Sequence, residues 1–403
     1  MKKKFNILIL LGLILGIFFG LFLPNVVKSL SFMGTIYVNL LKFTIVPIIF
    51  TSIMVSIYNS HKEKSDILLK TILMFTTMFV TSFLLTSLFV VLINPSQGFM
   101  LTNITEEVTT TKFDISSILI NLFPSNIITM IQDNNIFQVI LFATFCGICS
   151  CKANGGKKVI EVVDGFKNIF NKLLEYIMYL TPLGVFSLIG STIANYGGEV
   201  ILIGAKYIGV AYLCSIIVLI VVMILPVSLF TKISPFLYVK KICKVWLITM
   251  TTCSSSATLP YTIRVCNEEL NIPDKITNIV VPLGCTIHMC GGAVSFALLG
   301  LFCFNLYGID FNIMTYFMML VSATLINMAA PGIPNGGIVI GATYLSLFGL
   351  PLTFIGFYSG IYKFLDMIYT TLNVTGDISA NVLINHFENK RINRNMMVEN
   401  KLS

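Results

Sequence analysis

Six polar residues share one side of a helix predicted near the C-terminus: Lys363, Asp366, Tyr369, Thr370, Asn373 and Asp377. At about 100° per residue their spacing keeps them on a single face, and the rest of that segment is largely apolar. An ionisable side chain inside a bilayer span costs about 2.5–3.5 kcal/mol on insertion scales. Three of them on one stripe must therefore face a polar cavity or one another. Lys363 taken alone also reads as a snorkelling residue or a structural partner of Asp366 one turn on.

Three further polar clusters interrupt apolar sequence. The first runs from Thr251 to Pro260 and holds Ser254, Ser255 and Ser256. Hydroxyls at a hairpin tip, followed by a half-helix with free N–H groups and the positive end of its dipole, suit a carboxylate. A loop without a ligand is the bland alternative, and a nucleophilic serine lacks its Gly-x-Ser-x-Gly setting. The second cluster, Thr286 to Gly292, contains His288, which reads as a satisfied buried group or as a proton carrier. The third, Asn327 to Gly337, alternates Pro331 and Pro334 with Gly332, Gly336 and Gly337, a composition that suits a hinge or lid. Asn373 to Asp377 reads as a fourth interruption, inside the last span. Cys146, Cys149 and Cys151 have a metal-like spacing but no second pair or nearby histidine, so they read as small hydrophobes without a disulfide.

The elements that must position these residues follow from composition. Of 403 residues, 56% are hydrophobic and 11% charged, against about a quarter charged in soluble proteins, which excludes a soluble globule. Apolar stretches near 7–23, 36–57, 68–93, 136–150, 167–195, 201–230, 276–305 and 352–385 approach the roughly 20 residues a span needs. The first follows Lys2, Lys3 and Lys4 in the manner of a signal peptide, but Gly12, Gly16 and Gly20 at helical spacing and the lack of a small-residue cleavage box favour a retained helix. The net charge of +8 lies between spans and at the ends, a topology signal rather than a nucleic-acid patch. With the basic clusters inside, both termini are cytoplasmic and the stretch Asn94 to Ser117 is outside. The arms around Thr251–Pro260 and Asn327–Gly337 are too short to span separately, which predicts re-entrant hairpins. Their alternation with broken helices suggests an inverted repeat around a binding site at mid-membrane.

At these motifs the chain resembles the glutamate transporter family, the dicarboxylate/amino acid:cation symporters. The run Ser254 to Pro260 is similar to the family's first hairpin, Asn373 to Asp377 to its last helix, and Lys42 to Pro47 to its second-helix signature. The resemblance implies an all-α integral membrane protein of eight transmembrane helices plus two re-entrant helical hairpins, with scaffold and transport (elevator) domains. The scaffold would occupy 1–230, helices 3 and 6 moving with a transport core at 242–385, and 386–403 would be a cytoplasmic tail. It further implies a homotrimer in the cell membrane, a small-molecule substrate, the lipid bilayer as surroundings, no nucleic acid, no enzymatic activity and no organic cofactor. By position, Ser254, Ser255, Ser256, Ile333, Gly337, Asp366, Tyr369, Thr370 and Asn373 would surround the substrate, with Asp366 on an amino group and Thr370 and Asn373 on its carboxylate. Asp377 with carbonyls of Gly284, His288 and Asn373 would form one sodium site, and carbonyls of Thr286 and Met289 another.

Departures from the family pattern refine this. Acidic-substrate members carry arginine where this chain has Tyr369, and others carry it where this chain has Cys253, so a side-chain carboxylate loses its bidentate partner. A neutral amino acid is favoured. Lys363, about 9 Å along the axis from Tyr369, keeps an acidic amino acid or C4-dicarboxylate as the alternative. The family's Asn-Met-Asp-Gly-Thr reads His288-Met-Cys-Gly-Gly292, which argues for fewer sodium ions and opens a proton role for His288. A transporter-derived channel or sensor remains a third reading, and a hydrolase using Ser255 with His288 has no ordered acid to complete it.

Overall fold

Glycines every four residues along the first helix allow another backbone to approach closely, and that is how the N-terminal half is assembled. A computed structural model describes residues 2–62, 66–97, 126–132, 136–328 and 336–402. Its first part comprises α1 (Lys2–Phe22), α2 (Pro24–Ser29), α3 (Ser31–Lys62), α4 (Asp66–Ile93), α5 (Ile127–Gln132), α6 (Ile136–Lys152), α7 (Gly156–Met178) and α8 (Thr181–Tyr196). Next come α9 (Glu199–Val218), a π-helical stretch Leu219–Ile224 and α10 (Leu225–Thr231). Gly16 and Gly20 face carbonyls of α8, where a Cβ would stand 2.8 Å from Phe186 O and 2.8 Å from Gly190 O. The same α8 is pinned to α3 by Tyr37 Oη and Thr181 Oγ1 at 3.1 Å, and by Gly34 N donating to Ser187 Oγ at 3.0 Å.

The C-terminal half is built from interrupted helices. Its elements are α11 (Pro235–Thr252), α12 (Ser255–Arg264) with a π-helical continuation Val265–Glu269, α13 (Asp274–Ile287), α14 (Cys290–Leu306), α15 (Ile313–Met328), α16 (Gly336–Leu347) and α17 (Thr353–Leu402). The middle of α17 is buried around nearly its whole circumference from Leu365 to Ile384, so the other helices pack about it. Large apolar side chains instead point outward on α1, α3, α4 and α7, among them Phe22, Phe43, Leu92 and Ile169, as a lipid-facing surface requires.

No strand occurs among the described residues, and the chain is a helical, multi-pass membrane protein. Among the described residues four helices are long and apolar enough to cross a bilayer, Ser31–Asn59, Ile67–Ile93, Ile201–Thr231 and Asp274–Leu306, with α7 and α8 together a fifth if their 55° bend belongs to one span. The expected eight are thus met only in part among the described residues. The apolar parts of α1 and α6, Ile7–Phe22 and Leu141–Lys152, are shorter, and the polar stripe on α17 dilutes its hydropathy.

The stretch 167–195 falls on two helices with a 55° bend between them, α7 ending at Met178 and α8 opening around Pro182, which has no N–H to donate. One expectation needs correction. Asn373 to Asp377 does not interrupt its span, since α17 runs through it without a break. Its polar side chains find partners without unwinding the backbone: Thr371 and Thr375 donate to carbonyls one turn back, Met367 O at 2.8 Å and Thr371 O at 2.6 Å, and Asn373 and Asp377 bond to other helices.

Candidate functional site

The break between α11 and α12 falls at two residues. Cys253 takes left-handed dihedrals (φ 49°, ψ 42°) to end α11, and Ser254 is extended (φ −148°) to start α12. Ser254 Oγ accepts from Ala257 N at 3.2 Å, an N-cap bond that satisfies one of the orphan donors of the first turn. The remaining first-turn N–H groups stand at the positive end of the helix dipole, and Ser255, the first residue of α12, forms part of a cavity wall. The interruption expected from Thr251 to Pro260 is therefore confined to Cys253 and Ser254, with helix resuming at Ser255.

The second interruption lies where it was expected. His288 and Met289 are extended (φ −114° and −131°) between α13 and α14, and side chains from other helices hold the freed backbone groups. Asn373 Oδ1 accepts from Gly291 N at 2.8 Å. Asn327, with its amide turned so that both ends are satisfied, donates to Met289 O at 3.1 Å and accepts from Met289 N at 3.3 Å; the opposite orientation offers only Ile287 O at 3.5 Å, and is the poorer arrangement.

Between the two interruptions lies a cavity of about 60 Å³, smaller than the roughly 300–1,000 Å³ of small-ligand pockets. Cys253 and Ser255 wall it from the break between α11 and α12, Met289 from the pause before α14, and Gly291, Gly292, Ser295 and Phe296 from α14. Asn327, Gly337 and Ile340 close another side, and α17 contributes Tyr362, Asp366, Tyr369, Thr370 and Asn373. Asp366 is 7% exposed and accepts from Thr370 Oγ1 at 3.2 Å. Gly337 is needed for close approach, because a Cβ there would run into the Tyr362 hydroxyl.

Of the residues expected around a substrate, Ser255, Gly337, Asp366, Tyr369, Thr370 and Asn373 meet at this cavity. Ser254 is buried as a helix cap, and Ser256 is turned outward, exposed, with Cys285 Sγ at 3.6 Å from its hydroxyl. Ile333 lies outside the described residues. Lys363 stands beside Cys253 at the end of α11 and is not one of the described cavity walls.

The residues expected at the cation sites divide similarly. Gly284, His288 and Asp377 come together: His288 Nδ1 is 2.9 Å from Asp377 Oδ1, and Gly284 has no Cβ because the Asp377 carboxylate occupies that space. With Nδ1–H donating to Asp377, the other ring nitrogen is free to accept from the Cys290 thiol, 3.0 Å away. This tautomer is inferred from the network. Met289 O is taken up by Gly292 N at 2.8 Å. Thr286 is exposed, its hydroxyl donating back to Leu283 O at 2.8 Å. Among the described residues no set of three His, Cys, Asp or Glu side chains is arranged for a metal. One Asp377 carboxylate oxygen is engaged by His288, and Gly284 O accepts from His288 N at 2.9 Å.

Several participants carry no signal in local sequence. Phe75 stacks on His288 at 4.2 Å and 9° from an otherwise ordinary apolar helix, and Ser295 meets Tyr358 at 2.7 Å. Cys253, Gly291, Gly292 and Asn327, by contrast, fell within clusters that sequence singled out.

A family model described as the sodium:dicarboxylate symporter family matches residues 5–387. The chain is 25% identical over 398 residues to a proton/glutamate-aspartate symporter of Bacillus subtilis (strain 168), covering 96% of each. It is 27% identical to a proton/sodium-glutamate symport protein of Geobacillus stearothermophilus, covering 94% of this chain and 93% of that one. To neutral amino acid transporter A of Bos taurus it is 28% identical over 269 residues, 66% of this chain and 51% of that protein.

Proposed function

The chain belongs to the sodium:dicarboxylate symporter family, and on that premise we propose that it is a secondary symporter taking up an amino acid, with a neutral one preferred, on a sodium or proton gradient. The reading rests on one observation: Asp366 and Ser255, the first residue of α12, line the same cavity. An anion and a helix N-terminus at one cavity suit a zwitterion, the ammonium on Asp366 and the carboxylate toward the N–H groups after Ser254. Thr370 adds a hydroxyl. Asn373 already accepts from Gly291 N through its oxygen, which leaves its NH₂ to donate to the carboxylate. A neutral substrate is preferred because none of the described cavity walls is a lysine or arginine.

The coupling cation belongs beside Asp377, at the end of α13. In the proposed cycle α11 to α17 move as the transport core against a scaffold formed by most of the first 230 residues. Three copies assemble in the plasma membrane with both termini cytoplasmic. The ion pair of Lys70 with Glu388 supports a common side for the start of α4 and the end of α17. His288 carries the proton if the coupling ion is one; uptake that tracks sodium, ignores external pH and survives His288→Gln would remove that role.

The test is uptake of labelled amino acids by proteoliposomes with an imposed sodium or proton gradient. Accumulation of a neutral amino acid, lost in Asp366→Asn, is the expected result; uptake that persists in that variant, or equilibrates without a gradient, overturns it. An acidic amino acid or C4-dicarboxylate is a second reading, favoured by Lys363 beside Cys253 and by the glutamate symporters among the relatives. Competition between glutamate and glutamine separates the two.

A further inference from the structure

The end of the molecule that carries the pair of Lys70 with Glu388 has an apolar corner outside the cavity. The span Ile201–Thr231 has 31 residues, roughly 46 Å at 1.5 Å per residue, longer than a hydrocarbon core of about 30 Å, so its ends lie at headgroup level. There α10 stops with Lys232 in left-handed dihedrals (φ 61°, ψ 15°), and a short turn leads to Pro235, the first residue of α11. Leu229 before the turn is 77% exposed and Phe236 after it 80%. Phe230 and Phe387, also exposed, meet edge to face with centroids 5.6 Å apart, which joins the corner to α17. Among the described residues these four large apolar side chains stand uncovered where bilayer gives way to water.

The charge around this corner has one sign. Along α11 Phe236, Lys240, Lys244 and Leu247 are all exposed, and their spacing of four, four and three residues puts them on one stripe. Lys244 lies 3.9 Å from a Glu269 carboxylate oxygen, and Lys241 donates to Glu269 O. Lys232, Lys240 and Lys390, the last one turn beyond Phe387, are exposed and form no ion pair among the described residues; Glu388 is taken by Lys70. We infer that the corner of α10, α11 and α17 binds an anionic phospholipid, its phosphate among these three lysines and its glycerol and upper acyl segments on Leu229, Phe230 and Phe236. Basic pockets between spans at one membrane face hold such headgroups. Leu247, about 10 Å along α11 from Lys240 toward the break at Cys253, continues the stripe into the acyl region. A zwitterionic lipid has the same chains but brings its own ammonium, which the lysines repel. The corner lies apart from the cavity walls, and the inference stands independently of the symport reading.

The experiment titrates phosphatidylglycerol, and phosphatidylcholine in parallel, into the full chain purified in a non-ionic detergent. Bound lipid is counted by native mass spectrometry, and the unfolding midpoint is followed. Phosphatidylglycerol should be retained preferentially and raise the midpoint further than phosphatidylcholine, with the difference shrinking at high salt. Lys232→Gln, Lys240→Gln and Lys390→Gln should each weaken phosphatidylglycerol binding by about fivefold, and Phe236→Ser should weaken it with the lysines intact. A control variant carrying Lys157→Gln, Lys158→Gln and Lys172→Gln removes charge from exposed positions on α7 and should leave the preference unchanged. Equal retention of the two lipids overturns the inference. So does a control variant that loses as much binding as the three corner substitutions combined, because the lysines would then act only through net charge. A midpoint shift reproduced by inorganic phosphate alone also overturns it, since the corner would then hold a free anion without a lipid.

Discussion

Between α1 and α8, Gly12, Gly16 and Gly20 bring one backbone against another, with carbonyls of Pro182, Phe186 and Gly190 where Cβ atoms would otherwise lie. Between α13, α14 and α17, Gly284 and Gly376 make room for side chains instead: the Asp377 carboxylate fills the space of one missing Cβ, and the His288 ring would stand 2.6 Å from the other. The first interface is dry, backbone packed on backbone, while Thr181 and Ser187 of α8 turn their hydroxyls to α3, to Tyr37 Oη at 3.1 Å and Gly34 N at 3.0 Å. The second encloses polar groups at a depth where each must find a partner. The same small residue thus serves rigidity in one half and chemistry in the other, and substitutions at the two places should fail differently.

The largest effect is expected just beside the second interface. Asp366→Asn keeps shape and removes the charge facing the substrate's ammonium, so uptake should fall more than about 100-fold, the scale of a lost charged hydrogen bond at roughly 3 kcal/mol. Extraction in detergent should stay monodisperse, and full uptake by this variant contradicts the assigned contact. Gly284→Ala comes next, since its methyl would displace the Asp377 carboxylate. Substrate uptake at saturating sodium should drop about tenfold, with the half-saturating sodium concentration raised, on the overpacking scale of about 1–3 kcal/mol. Unchanged cation dependence would separate Asp377 from the coupling ion.

How much of this could be read from the residues alone differs between the halves. The stripe on α17 was legible because helical periodicity and the cost of charge in lipid act on contiguous sequence, and Asp366, Thr370 and Asn373 do share the cavity. The pause at His288 and Met289 was legible for the same reason, polar residues at membrane depth. Reading Asn373 to Asp377 as a break was not correct, because sequence cannot tell a glycine that ends a helix from one that admits a neighbouring ring, as Gly376 admits His288. Phe75 and Ser295 were invisible, since their roles depend on which distant helix packs against them. The glycines of α1 were noticed as a sign of a retained helix, but nothing in their spacing names α8 as the partner.

At the dry interface the expected failure is one of stability. Gly16→Leu should lower the midpoint of thermal unfolding, by an amount corresponding to about 1–3 kcal/mol of overpacking, because Phe186 O has no space to yield. The fraction that remains folded should bind substrate with an unchanged Kd, measured by ligand-dependent thermal shift. A change in Kd equal to that of Gly284→Ala would erase the distinction between the two interfaces.

The smallest effect belongs to a contact outside both. Lys70 at the start of α4 pairs with Glu388 near the end of the long buried run of α17, and the lysine side chain is 40% exposed. Ion pairs open to water contribute about 0–1 kcal/mol, and this one touches neither the cavity nor the glycine contacts. Lys70→Met should therefore shift the unfolding midpoint slightly, more at low salt than at high salt, and leave the KM for substrate and the sodium dependence where they were. If it instead slowed uptake as much as Gly284→Ala, the partition between a dry half and a chemical half would be too simple, because a charge pair at the end of α17 would then be governing the site along that helix.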